Sequence, residues 1–371
     1  DWESPNPDDP WANIGYWGDH QIIYLLKLLE GLQARKPNAL RDQLGDDDYV
    51  YLDVPYRLKP YQDLVRNGRD TINFDRDRSR KVAERVASMG EDGKLLSDND
   101  DEIVYVNLAE KLLVPMLSKL SNFVVDGGIW MNTQRPEWND ANNALVGVGV
   151  SVVTLCYLRR YLEFCERLFR SADESGGQEF AISRQVSGWF ERIHQILTAN
   201  AQHISTEDPV SDSVRREILD KVGKAFCDYR SQVYAAGLDR KAGTTLRSKT
   251  IAEFCVLAKE FADHSIRCNR RADDLYHAYN LVEFSDGTAS IRHLYEMLEG
   301  QVAVLSAKYL PSKEILKVLD GMKKSALFRE DQYTYLLYPN KDLKGFLAKN
   351  KIAAASVSNS ELLQKLVADG N

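Results

Sequence analysis

The apolar positions of this chain recur mostly at helical spacing. Residues 18–34 carry Ile22, Ile23, Leu25, Leu26, Leu28 and Leu29 on a stripe that predicts an amphipathic helix. Residues 108–120 repeat the pattern with Leu112, Leu113, Met116, Leu117 and Leu120, and Pro115 is expected to bend that helix by removing a backbone donor. Residues 145–169 are apolar almost all round in their first half, which predicts a helix buried on every side there. Residues 180–200 align Ile182, Val186, Trp189, Phe190, Ile193 and Leu197, and residues 213–236 align Val214, Ile218, Val222, Phe226, Tyr229 and Val233. Gly237 then stands where a helix stop belongs. Residues 246–268, 294–307 and 312–323 complete the series, with Pro311 suited to the first turn of the last.

Between residues 45 and 96 the periodicity breaks. This stretch is rich in charge and aromatic side chains and reads as an irregular insertion, with a short hairpin near residues 49–54. Residues 98–102 read as a solvated acidic loop. The recurring unit elsewhere is a helix, a loop and a helix running back, which predicts an all-α fold built as a closed toroid of helical hairpins. The helices vary too much in length for a fixed-repeat solenoid. The helical domain is expected over residues 1–345. Residues 346–371 would be an extension leading to a further domain. The chain opens on Asp1 rather than Met, which reads as a piece of something longer.

Composition narrows the function classes. Of 371 residues, 44% are apolar and 28% charged, enough for a sizeable core and too apolar for a disordered chain. The 48 basic and 55 acidic residues give a net charge of −7, a poor balance for binding nucleic acid, whose phosphates need clustered positive charge. The five cysteines, at 156, 165, 227, 255 and 268, form no CxxC pair. They read as free thiols in a reducing compartment, hence a cytoplasmic protein, with no metal site expected. The first residues lack a basic and apolar leader pattern. The longest apolar run, residues 144–158, is too short to span a membrane, so no membrane partner is expected.

Three polar segments carry candidate chemistry. Residues 13–21 gather Tyr16, Trp17, Asp19, His20 and Gln21 just before the first helix. Aromatic faces beside bidentate polar groups suit a sugar ring, although Asp19 would equally suit the positive end of the helix dipole. Residues 135–143 hold Arg135, Trp138, Asn139, Asp140 and Asn143. Asn139 or Asp140 could cap the following helix, but a cap needs one such residue. Three amides and two carboxylates are costly to desolvate and point to function. Residues 273–287 contain His277, Glu283 and Asp286, with Glu296, Glu299 and Gln301 following. Ser285-Asp286-Gly287 reads as an ordinary turn.

The run Glu137-Trp-Asn-Asp140-Ala-Asn-Asn143 resembles the Asp-Trp-Asn-Asp-Gly-Met-Asn motif of the cellobiose phosphorylase family and its inverting (α/α)6-barrel relatives. The resemblance implies an (α/α)6 barrel, with Asp140 as general acid on the glycosidic oxygen and Trp138 as a sugar contact. The segment around Trp17 and Asp19 resembles the family's aromatic-Arg-Asp segment in the −1 subsite, without its Arg. Glu299-Gly-Gln301-Val-Ala and Tyr335-Leu-Leu-Tyr-Pro339 are similar to two further family segments, so the likeness runs loosely over residues 12–340. The family's Thr-x-x-Gly-like phosphate element is absent. Residues 327–333 stand there, leaving Arg329 to meet an anion.

The resemblance therefore implies cleavage of an oligosaccharide with inversion, by water or by inorganic phosphate as co-substrate, with no cofactor. In a hydrolase a base would stand roughly 6.5–9.5 Å from the acid. Glu283 is the first candidate, ahead of Asp286 and Glu296. His277 and Gln301 complete the expected substrate contacts. The rival expectation is a silent carbohydrate-binding or scaffold domain. Flanking domains or a homo-oligomer would complete either.

Overall fold

The computed structural model describes residues 21–98, 102–132, 144–341 and 343–370. Helix α1 (Gln21–Arg35) buries Ile22, Leu26 and Leu29, spaced by four and three residues, and the short α2 (Ala39–Asp42) adds Leu40. Next come β1 (Tyr56–Leu58), α3 (Tyr61–Arg66), β2 (Ile72–Phe74) and α4 (Arg76–Met89). Strands β1 and β2 pair antiparallel, Tyr56 opposite Phe74. Residues 45–96 are thus ordered structure joined to the core, with Tyr56, Leu58, Tyr61 and Leu64 buried. The hairpin expected near residues 49–54 does not pair with itself. Tyr49 bridges to Val106 and Leu52 to Leu95.

Helix α5 (Leu108–Leu120) is capped by Asn107, whose side-chain oxygen accepts from the Glu110 N–H at 2.9 Å. Then follow β3 (Phe123–Val124), β4 (Gly128–Trp130), β5 (Gly149–Ser151) and the long α6 (Val152–Glu174). Beyond these lie β6 (Glu179–Ile182), α7 (Arg184–Asn200), α8 (Asp212–Ala236), β7 (Thr244–Arg247) and α9 (Ser248–Cys268). Gly237 ends α8 at φ 69, the left-handed stop its position predicts. The hairpin β8 (Tyr279–Ser285) and β9 (Thr288–His293) turns at Asp286-Gly287, and α10 (Leu298–Ser306), α11 (Ser312–Lys324), β10 (Phe328–Arg329) and β11 (Thr334–Tyr335) close the unit.

The expected all-α toroid is overturned. The chain is 56% helical, yet β3, β4, β5, β8 and β9 form one antiparallel five-stranded sheet in that order, and three two-stranded sheets lie outside it. The fold is mixed helix and sheet. The error has a physical source in the apolar run 144–158. A strand covered on both faces is as uniformly apolar as a buried helix, so periodicity does not separate them. Gly147, at φ 84, stops helical geometry, and β5 follows. Ser151 then caps α6 by accepting from the Thr154 N–H at 3.0 Å. The segment 273–287, expected only as a polar stretch ending in a turn, supplies β8.

The core lies between α6, α9, α5 and the sheet. Tyr161 on α6 is fully buried and donates its hydroxyl to the Leu112 carbonyl at 2.9 Å. Among the described residues no helix is long and apolar enough to cross a membrane. The compact unit runs to Leu337. Residues 338–371 form a second unit of short helices α12 (Phe346–Lys349), α13 (Ala354–Ser358) and α14 (Glu361–Ala368), without a buried residue among those described.

Candidate functional site

The polar segment around Asp140 connects β4 to β5. Residues 133–143, with Arg135, Trp138, Asn139, Asp140 and Asn143, lie outside the described residues, but both of their flanks are firmly held. The Met131 N–H donates to the Gly149 carbonyl at 2.9 Å, and the Gly147 N–H donates to the Met131 carbonyl at 2.7 Å. The Trp130 indole N–H donates to the Gly147 carbonyl at 3.1 Å. These bonds bring residues 132 and 144 to one end of the sheet.

Strand β8 lies against that end. Leu281 pairs with Gly149, and the Val282 N–H donates to the Val148 carbonyl at 2.8 Å. Glu283 is the next residue, exposed, opposite Ser290 of β9. Strand alternation turns Phe284 to the other face, where its ring meets Trp130 edge-on at 5.1 Å. The Arg216 guanidinium sits 5.3 Å from the Phe284 ring centre and donates to Asp220 at 2.7 Å. The Tyr61 hydroxyl donates to the same Asp220 oxygen at 2.7 Å. Residues 61–70 also close on the end of the segment 133–143: a Cβ added at Gly147 would stand 2.4 Å from the Gly68 carbonyl oxygen.

Tyr16, Trp17, Asp19 and His20 lie outside the described residues, and Gln21 opens α1. His277 stacks on His293 with ring centres 4.1 Å apart and planes 6° apart. Burial, then the neighbouring His293, push the His277 pKa down to about 4, so the ring is neutral at pH 7. Gln301 is fully buried. Its Oε1 accepts from the Tyr276 N–H at 2.8 Å, while Nε2 donates to the carbonyls of Tyr276 at 2.7 Å and Met297 at 2.9 Å. Its amide is spent on the backbone. Arg329 is paired with Asp331 through two hydrogen bonds of 3.0 and 2.6 Å. Glu296 pairs with Arg271 at 3.2 Å, and Glu299 accepts from the Tyr279 hydroxyl at 3.0 Å.

A concavity of about 760 Å³ lies between α4 and the end of α8. Its cations are largely neutralised internally. Buried Asp53 takes both Arg78, at 2.7 Å, and Arg85, at 2.8 Å, and Arg57 takes Asp75 at 3.0 Å.

Sequence reading missed a buried polar network at the opposite end of β4. Asp126, in the β3–β4 turn at φ 64, is paired with Arg215 of α8 at 2.7 Å and with His264 of α9 at 2.9 Å. Burial works to raise the Asp126 pKa, but the hydrogen bonds from His264 and Arg215 outweigh it and hold the carboxyl below its usual range. Cys268 Sγ lies 3.6 Å from the same His264 Nε2, and burial with the Asp126 charge pushes the thiol up to about 12. That is the reverse of an activated nucleophile. In a relay of thiol, imidazole and carboxylate the two partners use different ring nitrogens, whereas here both face one. The donors of Asp126, His264 and Cys268 all lie within 4.8 Å of one another. The one legible signal was His264-Ser-Ile-Arg-Cys268, two metal-capable residues one helical turn apart.

No protein-family model matches the chain, and no curated protein matches it.

Proposed function

We propose that the chain cleaves a glycosidic bond of an oligosaccharide with inversion, Asp140 protonating the leaving oxygen and Glu283 activating a water on the opposite face. The observation that carries the reading is strand order. The acid segment joins β4 to β5, and β8, bearing Glu283, is the strand hydrogen-bonded to β5. The connection that carries Asp140 thus joins a strand that pairs with the strand carrying Glu283. Among the described residues Glu283 has no ion pair, as a general base exposed to water requires. Hydrolysis is favoured over phosphorolysis because Arg329, the residue left to meet phosphate, is already paired with Asp331. Trp17 and Trp138 would supply the flat faces on which sugar rings stack.

The test is turnover of a panel of β-linked disaccharides with and without inorganic phosphate. Hydrolysis should proceed without phosphate. Asp140→Asn should lower kcat by about 10²–10⁴, and Glu283→Gln should do the same. Near-normal turnover in Asp140→Asn removes the acid assignment. Release of a sugar 1-phosphate, insensitive to Glu283→Gln, would make the chain a phosphorylase. Binding without turnover across the panel would make it a carbohydrate-binding domain.

A further inference from the structure

We infer that Asp126, His264 and Cys268 form a zinc-type divalent metal site that clamps the β3–β4 turn to the C-terminal end of α9. It is independent of the glycosidic reading and lies at the other end of β4 from the acid segment.

Donor identity and spacing carry the inference. His264 and Cys268 stand four residues apart on α9, so both side chains leave one face of the helix. Helical ligand pairs grip zinc at this spacing. Asp126 meets them from the turn, its Oδ1 2.9 Å from His264 Nε2, while Cys268 Sγ is 3.6 Å from that nitrogen. Tetrahedral zinc, with nitrogen and oxygen ligands at about 2.0–2.1 Å and sulfur at about 2.3 Å, sets its donors about 3.3–3.6 Å apart. The Nε2–Sγ edge matches that triangle, the Oδ1–Nε2 edge is about 0.4 Å shorter, as in a hydrogen bond a metal would replace, and all three donors lie within 4.8 Å of one another.

The surroundings orient Asp126 as a one-oxygen ligand. Its Oδ2 accepts from Arg215 at 2.7 Å and from the Val210 N–H at 2.9 Å, leaving Oδ1 toward His264. Its own N–H donates to Ser265 Oγ at 2.9 Å, and its carbonyl accepts from Asn269 Nδ2 at 2.7 Å. Such outer contacts fix a ligand before the metal arrives. They also hold Asp126 in a left-handed backbone conformation, which among non-glycine residues Asp and Asn adopt most readily.

His264 is 2% exposed, and its Nδ1 has no hydrogen-bond partner among the described residues. The tautomer whose Nε2 lone pair faces the metal leaves the Nδ1 proton without an acceptor there, a desolvation cost that the metal bonds must exceed. On binding, the Cys268 proton leaves to solvent and the imidazole proton resides on Nδ1. Thiolate and carboxylate supply two negative charges, which offset the Arg215 guanidinium behind Oδ2. The negative end of the α9 dipole adds to the attraction. Cys268, only partly buried, gives the ion its way in and leaves a fourth position for water.

The test titrates the full chain, stripped with chelator, with Co(II) and separately with Zn(II). One cobalt per chain should bind with the near-ultraviolet charge-transfer band of a thiolate ligand, and zinc should displace it. Zinc should also raise Tm and slow alkylation of Cys268 at least about tenfold. Cys268→Ser, at a partly exposed position, should keep the metal-free Tm, lose the band and bind at least about tenfold more weakly. Cobalt binding without the band, equal affinity in Cys268→Ser, or no binding at all would overturn the site.

Discussion

Asp126 and Arg215 expose only 5% of their side chains each, so their pairing decides whether two charges can stay buried. Removing Arg215 leaves the buried carboxylate to His264 and the Val210 N–H, and breaking such a pair typically costs about 3–5 kcal/mol. Arg215→Met should therefore destabilise the protein by that order in urea denaturation, and a loss near zero would show that water reaches the carboxylate. Because the folded Asp126 pKa is lowered, the unfolded chain takes up the proton first as pH drops below about 3.9. The stability this carboxylate confers is present above that pH and is lost as pH falls through the folded value. His277 behaves in the same sense at higher pH. Its folded pKa of about 4 lies below the unfolded value near 6.5, so stability should decline as pH falls from about 6.5 to 4. His277→Gln should flatten that part of a denaturation series, and an unchanged slope would mean the ring is not held neutral.

Between elements, two close contacts set the candidate site. Gly68 and Gly147 touch backbone to backbone, and Gly147 holds φ 84. Gly147→Ala should cost about 1–3 kcal/mol from overpacking and strain, read as a drop in Tm. If the acid segment serves glycosidic cleavage, kcat should fall further than the loss of folded protein explains. Gln301 ties α10 to the segment before β8 through two hydrogen bonds to Tyr276. Gln301→Leu leaves the Tyr276 N–H and carbonyl unpaired, at about 1–3 kcal/mol for each buried group. A raised KM with unchanged Tm would instead return Gln301 to the sugar-contact role that its sequence neighbourhood implies.

Across the whole molecule, the thiols report how the core is assembled. Cys156 and Cys165 on α6 and Cys255 on α9 are buried where those helices pack, and burial raises all three pKa values. Native labelling with a thiol reagent should spare them until global unfolding, while Cys227 and Cys268 react earlier. Early labelling of Cys156 or Cys165 would mean that the α6–α9 interface opens locally. The same interface shows what was legible beforehand. The helical positions of α6 to α9 follow from apolar stripes such as Val186, Phe190, Ile193 and Leu197, because neighbours three and four residues apart share one helix face. So does the Gly237 stop, which depends on one backbone conformation. The Asp126 network was not legible: a lone Asp in Val-Val-Asp-Gly-Gly reads as a turn, and Arg215 reads as one more solvated helix charge.

By itself, then, the sequence determined the apolar helices outside residues 45–96, their buried faces and the polar segment around Asp140, since each is written in residues within a turn or two of one another. Helices α3 and α4, by contrast, fall in the stretch read as an irregular insertion. Only the tertiary structure decided that the apolar run 144–158 splits into a strand and a helix. It alone set β8 beside β5 and drew Asp126 to His264 and Cys268. Each of these depends on partners far apart in the chain. Strand pairing and buried charge pairing are long-range contacts, and local periodicity carries no record of which distant segment completes them.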